Sequence, residues 1–263
     1  MKINAYHIDA FTDKLFSGNP AMVCVLEAWL PEEVLQKIAA ENNLPATAFL
    51  VRTQDGFDIR WFAPEYEIDL CGHGTLASGF AVFNLIEPDW QEVNFYHRSA
   101  GLLRISRHQT EIVLNFPVKN TVACELPAIL VEGLGMKPKE THQFNKERLL
   151  AVLETEEDVR QLKPDLSLLK QLAHRGIIVT APGKTVDFVS RVFYPGKAIS
   201  EDPVTGSSYC LLVPYWARQL NKTQFQARQL SQRGGEVRCE LHSDHIRLYG
   251  KAILYKEGVL FLD

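Results

Sequence analysis

Two short segments of the chain combine glycine with hydroxyl, thiol and titratable side chains. The first reads Asp-Leu-Cys-Gly-His-Gly-Thr over residues 69–75, and the second reads Glu-Asp-Pro-Val-Thr-Gly-Ser-Ser over residues 201–208. A long apolar run follows each segment, as is typical of a buried helix. The start of a helix presents free backbone N–H groups and the positive end of the helix dipole, which together attract anions. We therefore predict two helix starts that bind a carboxylate.

Four side chains in these segments have the chemistry to move a proton or to hold a substrate. Cys71 and His73 belong to the first segment, and Asp202 and Thr205 belong to the second. If both helix starts converge on one ligand, these groups face it from opposite sides, as a proton shift or a stereochemical inversion requires. The glycine and hydroxyl residues beside them are the predicted substrate-binding positions: Gly72, Gly74, Thr75, Gly206 and Ser207.

Each of these residues also has a purely structural interpretation. Glycine, serine and threonine at a helix N-terminus often only cap the helix, and Asp202 could itself be a cap. Cys71 could be a small buried hydrophobic residue, although a helix N-terminus favours the thiolate form. His73 could be a structural hydrogen-bonding residue. Asn19, within Gly-Asn-Pro, fits a turn and is also a candidate substrate contact.

Composition and charge exclude several classes of function. The chain has 263 residues and a formal net charge of −4, so nucleic acid is not expected as a partner. No apolar stretch approaches the roughly 18 residues of a membrane span, and the N-terminus lacks the features of a signal peptide. Five scattered cysteines without a C-x-x-C pair argue against disulfides or a zinc site and indicate a cytoplasmic protein. The histidines show no metal-binding spacing either, so no metal is expected.

The chain repeats itself at an offset of 131 to 134 residues. The motif Arg-x-Phe-x-Pro occurs at residues 60–64 and again at residues 191–195, and the two glycine-containing segments are 134 residues apart. Matches in the same order at nearly one offset indicate an internal duplication. The predicted lobes are an N-terminal one of residues 1–116 and a C-terminal one of residues 117–263.

Local patterns predict the same elements in each half. Residues 74–86 are apolar almost all round, which predicts an enclosed helix, and residues 207–220 are its counterpart, with Pro214 expected to kink it. One sheet rolled around one buried helix in each lobe satisfies this pattern. We therefore expect an α+β fold of two duplicated lobes, each with a barrel-like, mostly antiparallel sheet. The other predicted elements are strands at 3–9, 21–26, 47–52, 57–62, 92–97, 101–106, 110–115, 177–181, 185–193, 236–241, 245–249 and 252–255, and helices at 31–42 and 165–175. Residues 133–164 receive little assignment.

The motifs of the whole chain resemble those of the PhzF family of phenazine-biosynthesis-like proteins. This resemblance implies a fold like that of diaminopimelate epimerase, in a protein that is usually a homodimer. It also implies isomerase chemistry on a small carboxylate-bearing substrate, without metal or coenzyme. The match runs from end to end, apart from a middle segment near 120–180 that looks short for the family. It is carried by His-Ile-Asp-Ala-Phe at 7–11, Phe-x-Gly-Asn-Pro-Ala at 16–21, Ile-Arg-Trp-Phe-x-Pro at 59–64, Leu-Cys-Gly-His-Gly-Thr-Leu-Ala at 70–77, Glu-Asp-Pro-Val-Thr-Gly-Ser at 201–207 and Gln-Arg-Gly-Gly at 232–235.

The resemblance also implies roles for particular residues. His73, Asp202 and Ser207 match polar active-site positions of the family. Gly72 and Gly206 match its positions for binding an anion through the backbone.

One position departs from the family pattern. The family usually reads Asn-Leu-Ser-Glu-Thr-Ala-Phe, with the glutamate as principal acid and base, whereas residues 43–49 read Asn-Leu-Pro-Ala-Thr-Ala-Phe. Ala46 therefore stands where the glutamate is expected, and a methyl group carries no proton. Three interpretations stay open: an isomerase or epimerase that uses other groups, such as a pair of Cys71 and Thr205 like that of one-sided dehydratases; a catalytically impaired protein that binds small acids; or an ordinary enzyme with a strain-specific or engineered substitution. The first is the function that we predict.

Overall fold

The computed structural model describes residues 1–145 and 147–262, and these form two compact units. Unit 1 contains Met1–Asn115 together with the C-terminal segment from Arg247 onward, and unit 2 contains Phe116–Ile246. The C-terminal segment belongs to unit 1 because the last strand, β18 (Ala252–Phe261), pairs antiparallel with the first, β1 (Lys2–Ala10). The predicted C-terminal lobe of residues 117–263 included this segment, because a local pattern reveals a strand but not its distant partner.

Unit 1 contains one central helix, α2, among its strands. Every residue of α2 except Phe80 is buried, and the helix packs against β1, β18 and the two strands that follow β1 in the chain. The prediction of an enclosed helix over 74–86 is confirmed, although the last five residues form a π-helical turn. Besides β1 and β18, the unit contains β2 (Asn19–Leu26), α1 (Glu32–Asn42), β3 (Ala46–Arg52), β4 (Gly56–Phe62), β5 (Glu67–Ile68), α2 (Gly72–Ala81), the π-helical turn (Val82–Ile86), β6 (Glu92–His97), β7 (Gly101–His108) and β8 (Glu111–Pro117).

Unit 2 repeats this arrangement around α6, a helix buried over its first eight residues with Pro214 inside it. A short 3₁₀ turn precedes α6, so the second predicted helix start is also confirmed. The elements of unit 2 are β9 (Val122–Ala123), α3 (Ala128–Leu134), β10 (Glu140–Phe144), β11 (Arg148–Val152), α4 (Glu156–Gln161), α5 (Leu166–Leu169), β12 (Gly176–Pro182), β13 (Phe188–Phe193), β14 (Glu201–Asp202), the 3₁₀ turn (Gly206–Ser208), α6 (Tyr209–Leu220), β15 (Gln224–Gln229) and β16 (Gly235–Leu241). Strand β17 (His245–Gly250) begins in unit 2 and ends in unit 1.

Strand pairing shows the duplication directly. In unit 1, β3 and β4 are antiparallel, β4 and β6 are parallel, and β6 and β7 are antiparallel. In unit 2, β12 with β13, β13 with β15, and β15 with β16 repeat the same three directions. The short strand before each central helix has the same register, because Phe62 pairs with Glu67 and Phe193 pairs with Glu201.

Three parts of unit 2 differ from the sequence prediction. The helix expected over 165–175 ends at Leu169, because the backbone then tightens into turns in which Gln171 and Leu172 each bond three residues back. Residues 133–164, which received little assignment, contain β10, β11 and α4. Strand β15 was not predicted, although its Gln-Phe-Gln-Ala sequence alternates between exposed and buried positions.

Gly56 and Gly101 both have positive φ angles, but only Gly56 lacks space for a side chain. Their φ angles are +154° and +72°, and a Cβ atom on Gly56 would lie 2.2 Å from the Asn94 carbonyl oxygen, whereas one on Gly101 would meet nothing within 4 Å. We expect Gly56→Ala to lower the free energy of unfolding by roughly 3 kcal/mol and Gly101→Ala by about 1 kcal/mol. Urea denaturation followed by circular dichroism measures both changes. Equal losses in the two variants would contradict the crowding at Gly56.

Candidate active site

The first candidate segment forms the start of α2, as predicted. Cys71 is the N-cap residue, and its carbonyl oxygen accepts hydrogen bonds from Thr75 N at 3.0 Å and Thr75 Oγ1 at 2.6 Å. In the described part of the chain, no side chain caps this helix from the N-cap position. The N–H groups of Gly72, His73 and Gly74 precede the first helical hydrogen bond and are therefore available to a ligand. Capping does not explain why Cys71 occupies this position.

Cys71 and His73 lie side by side at this helix start. The Cys71 Sγ atom is 3.6 Å from His73 Nδ1 and 3.9 Å from His73 Nε2, and both residues are buried. Burial lowers the pKa of His73 to about 3, so its imidazole is neutral at neutral pH. A neutral imidazole accepts a hydrogen bond from a thiol or donates one to a thiolate, depending on its tautomer. The pair can therefore keep a sulfur atom in either protonation state hydrogen-bonded.

The second candidate segment forms the turn that leads into α6. Thr205 Oγ1 donates to Asp202 Oδ2 at 2.7 Å, so two of the predicted site residues are in direct contact. Gly206 and Ser207 follow in the 3₁₀ turn. The structure therefore joins Asp202 and Thr205 directly and places Gly206 and Ser207 in the turn that follows them.

Gln229 is a site residue that the sequence analysis missed. It ends β15, is fully buried, and accepts a hydrogen bond from Thr205 N through Oε1 at 2.9 Å. Its Nε2 donates to the Asp202 carbonyl oxygen at 2.6 Å. Gln229 thus fixes both residues of the Asp202–Thr205 pair. It lies three residues before the Gln-Arg-Gly-Gly motif, but only the strand pairing places it at the site.

A bidentate ion pair anchors the strand that leads to each helix start. Arg60 donates from Nε and Nη2 to the two carboxylate oxygens of Glu67 at 2.8 and 2.6 Å. Arg191 binds Glu201 in the same way at 2.7 and 2.9 Å. Burial favours the neutral form of the Glu67 carboxyl, but the hydrogen bonds and charge of Arg60, with the charge of Arg98, outweigh it and hold its pKa below the usual range. Both arginines belong to the repeated Arg-x-Phe-x-Pro motif, so the ion pair gives this motif a structural role in each unit.

Ala46 and Asn19 lie on neighbouring strands of unit 1. Ala46 is the first residue of β3 and pairs with Ala21 of β2 in parallel register, and Asn19 is the first residue of β2. Both residues are fully buried. Parallel strands begin at the same end of a sheet, so these two predicted site residues lie at one end of the β2–β3 pair. Helix α2 packs against both strands.

Within residues 1–145 and 147–262, no group of three or more His, Cys, Asp or Glu side chains is arranged to hold a metal ion. Over the same residues, no helix has both the length and the apolar character needed to cross a membrane. All five cysteines are unbridged.

The buried His73 makes the stability of the protein depend on pH. Its pKa is about 3 in the folded protein and about 6.5 in the unfolded chain, so below pH 6.5 only the unfolded chain takes up the proton. The stabilising contribution of the neutral ring is complete above pH 6.5 and is lost as the pH falls toward 3. Between pH 7.5 and 5, the wild type should lose roughly 2 kcal/mol more free energy of unfolding than His73→Gln.

Urea denaturation at a series of pH values measures this difference. His174 is a suitable control, because burial also lowers its pKa but the residue is only partly buried. His174→Gln should remove a smaller part of the pH dependence. Identical pH slopes for the wild type and His73→Gln would show that His73 is not held neutral by the fold.

Comparisons with known proteins identify the family. The sequence pattern of the phenazine biosynthesis-like proteins matches residues 8–258. An uncharacterised isomerase from Pseudomonas aeruginosa is 43% identical over 258 residues, which cover 98% of each chain. A crystal structure of a PhzF family protein from Enterococcus faecalis is 42% identical, covers 100% of both chains and superposes with a TM-score of 0.95. A protein described as a predicted epimerase from Pseudomonas aeruginosa shares the fold at 17% identity, with 99% of this chain and 100% of that one covered and a TM-score of 0.76. The chain therefore belongs to the PhzF family of phenazine-biosynthesis-like proteins and has its α+β fold.

Proposed function

We propose that this protein catalyses an isomerase-type proton transfer on a small carboxylic acid, without metal or coenzyme. The observation that carries the proposal is the contact between Cys71 and His73, 3.6 Å apart at a helix start without a side-chain cap. Relatives named as isomerases match the chain over nearly its whole length, which supports the class of reaction.

The start of α2 is the proposed anchor for the substrate carboxylate. The N–H groups of Gly72, His73 and Gly74 and the positive end of the helix dipole stabilise a negative charge there. Removing a proton from the carbon next to a carboxylate spreads more negative charge onto its oxygens. The same donors therefore stabilise the transition state more strongly than the bound substrate.

Cys71 is the proposed proton carrier. The helix start favours its thiolate, which accepts a proton from the carbon beside the carboxylate and returns it to another carbon of the same system. His73 stays neutral and keeps one tautomer throughout, donating its ring N–H to the sulfur atom both before and after the transfer. The proton count of the enzyme is unchanged at the end of the cycle.

The start of α6 is the counterpart of this helix start in unit 2. Thr205 stands where the repeat places Cys71 in unit 1, and its hydroxyl donates to the Asp202 carboxylate. A threonine hydroxyl does not exchange its proton as readily as a thiol, so the two repeats are not equivalent as proton carriers. This difference favours a one-sided proton shift or an elimination over racemisation, which needs an acid and a base on opposite faces.

One observation favours a second candidate function, the binding of small acids without turnover. Ala46 occupies the position of the family glutamate and is fully buried, so no proton carrier exists at that position. The N–H donors of α2 do not depend on it. Ligand binding can therefore persist when turnover is lost.

Deuterium incorporation separates the two functions. We expect the wild type to exchange a carbon-bound proton of at least one acid in a panel of 2-amino, 2-hydroxy and β,γ-unsaturated carboxylic acids in D₂O. Cys71→Ser should slow this exchange by about 10²–10⁴-fold, the contribution of a positioned acid–base group. The control is Cys124→Ser, at a half-buried cysteine in unit 2. Unchanged exchange in Cys71→Ser would reject Cys71 as the carrier, and acids that bind without any exchange would favour the binding function.

Restoring the family glutamate tests the role of position 46. The double variant Pro45→Ser/Ala46→Glu should raise the rate of the allylic proton shift by up to about 10²–10⁴-fold. Affinity should barely change, because the donors of the α2 start are untouched. Exchange rates and ligand titrations are compared with Pro45→Ser alone, and thermal melting confirms that the buried glutamate is accommodated. A folded double variant without a faster rate would show that position 46 has no acid–base role in this chain.

A further inference from the structure

Trp61 is a fully buried residue of β4 whose indole N–H has no acceptor. Among the residues that the structure describes, none accepts a hydrogen bond from Trp61 Nε1. A buried N–H without a partner costs about 1–3 kcal/mol, and such groups are rare in folded proteins. The indole therefore points to an acceptor that the chain itself does not supply.

The pyrrole edge of the indole lies against the first turn of α2. A Cβ atom built on Gly74 would lie 2.9 Å from Trp61 Cδ1, 3.4 Å from Trp61 Nε1 and 3.0 Å from Cys71 Sγ. Glycine at position 74 is thus what allows the indole to approach the helix so closely. The donor is consequently placed beside the backbone N–H groups and the thiol of the proposed active site.

His97 holds the indole in this orientation. The two rings are in contact, with centroids 4.5 Å apart and planes tilted by 34°. His97 Nδ1 accepts hydrogen bonds from Ser99 N at 3.2 Å and Ala100 N at 3.1 Å. These bonds prevent rotation of the imidazole and place the proton of the neutral ring on Nε2, 4.0 Å from Glu67 Oε1. Burial lowers the pKa of His97, which keeps that ring neutral. Trp61 is therefore packed rigidly between the imidazole and the helix.

The fold itself does not need a hydrogen-bond donor at this position. Trp61 pairs with Ile68 between β4 and β5, and the equivalent pair in unit 2 is Val192 with Asp202. Unit 2 thus forms the same strand pairing with an aliphatic side chain where unit 1 has an indole. The unsatisfied donor belongs to the ligand site of unit 1 rather than to the repeated architecture.

We propose that Trp61 is a substrate-binding residue whose indole N–H donates to a carboxylate oxygen at the start of α2. This inference rests on the anion site of the proposed function. An indole N–H is a donor only and keeps its proton at any ordinary pH, so it selects an acceptor. Together with the N–H groups of the first helical turn, it lets unit 1 hold both oxygens of a carboxylate. Unit 1 should therefore prefer a carboxylate to the corresponding neutral amide.

The indole N–H resonances of the four tryptophans test this directly in the ¹⁵N-labelled full-length chain. The probes are the acids of the deuterium-exchange panel, beginning with L-lactate, and lactamide is the matched neutral compound. The Trp61 signal, assigned by its loss in Trp61→Phe, should move downfield and saturate with an acid but not with lactamide. Trp216 is the internal control, because its indole N–H already donates to Thr180 Oγ1 at 3.0 Å. Its signal should stay in place.

Affinity gives a second readout. Trp61→Phe should weaken binding of the carboxylate about tenfold, since a hydrogen bond to a charged group is lost, and Trp216→Phe should bind as the wild type does. Saturating shifts of the amides of Gly72–Thr75 with an unmoved Trp61 signal would overturn the Trp61 assignment and leave the proposed function standing. If neither these amides nor Trp61 respond to any acid of the panel, both the assignment and the anion site are rejected. Equal shifts of all four indoles would mean non-specific binding and also reject the assignment.

Discussion

A bidentate arginine–carboxylate pair, present once in each unit, is the constraint on which the site depends. Arg60 with Glu67, and Arg191 with Glu201, tie the central strand of a sheet to the short strand that leads into the buried helix. Both arginine side chains are largely buried, at 15% and 11% exposure, so the loss of either partner would leave a poorly solvated charge. Because these pairs fix the approach to each helix, the N-cap residue is not needed as a cap. The helix start is thereby released for a ligand.

The two units share their strand pairing but carry different polar groups at their helix starts. Gln229 and His97 end the corresponding strands β15 and β6, but only Gln229 binds the residue at the helix start, where it accepts from Thr205 N. That bond occupies the backbone N–H of Thr205. The polar side chain beside this N–H is the Asp202 carboxylate, which accepts from Thr205 Oγ1. Unit 1 instead combines N–H donors with the thiol of Cys71.

The parts of the fold that follow from local chemistry could be predicted from the sequence. A helix enclosed by strands must be apolar all round, and an anion-binding helix start requires glycines, so both helix starts and most of their polar residues were found. The ring contact of Trp61 with His97 and the hydrogen bonds of Gln229 could not be predicted, because both depend on strand register between distant parts of the chain. The pairing of β1 with β18 spans almost the whole sequence and leaves no local pattern. Strand β15 was missed because its alternating pattern is mostly polar.

The burial of Ala46 and the neutrality of His73 together restrict where a proton can be carried. A glutamate at position 46 would occupy a site from which water is excluded, where burial raises the pKa of a carboxyl toward neutrality and makes it a suitable proton carrier. Alanine removes that group, and burial removes His73 from titration near neutral pH. Under the proposed function, Cys71 is then the proton carrier that remains at the α2 start. That proposal makes catalysis in unit 1 depend on the sulfur atom, and a unit without this role only binds its ligand.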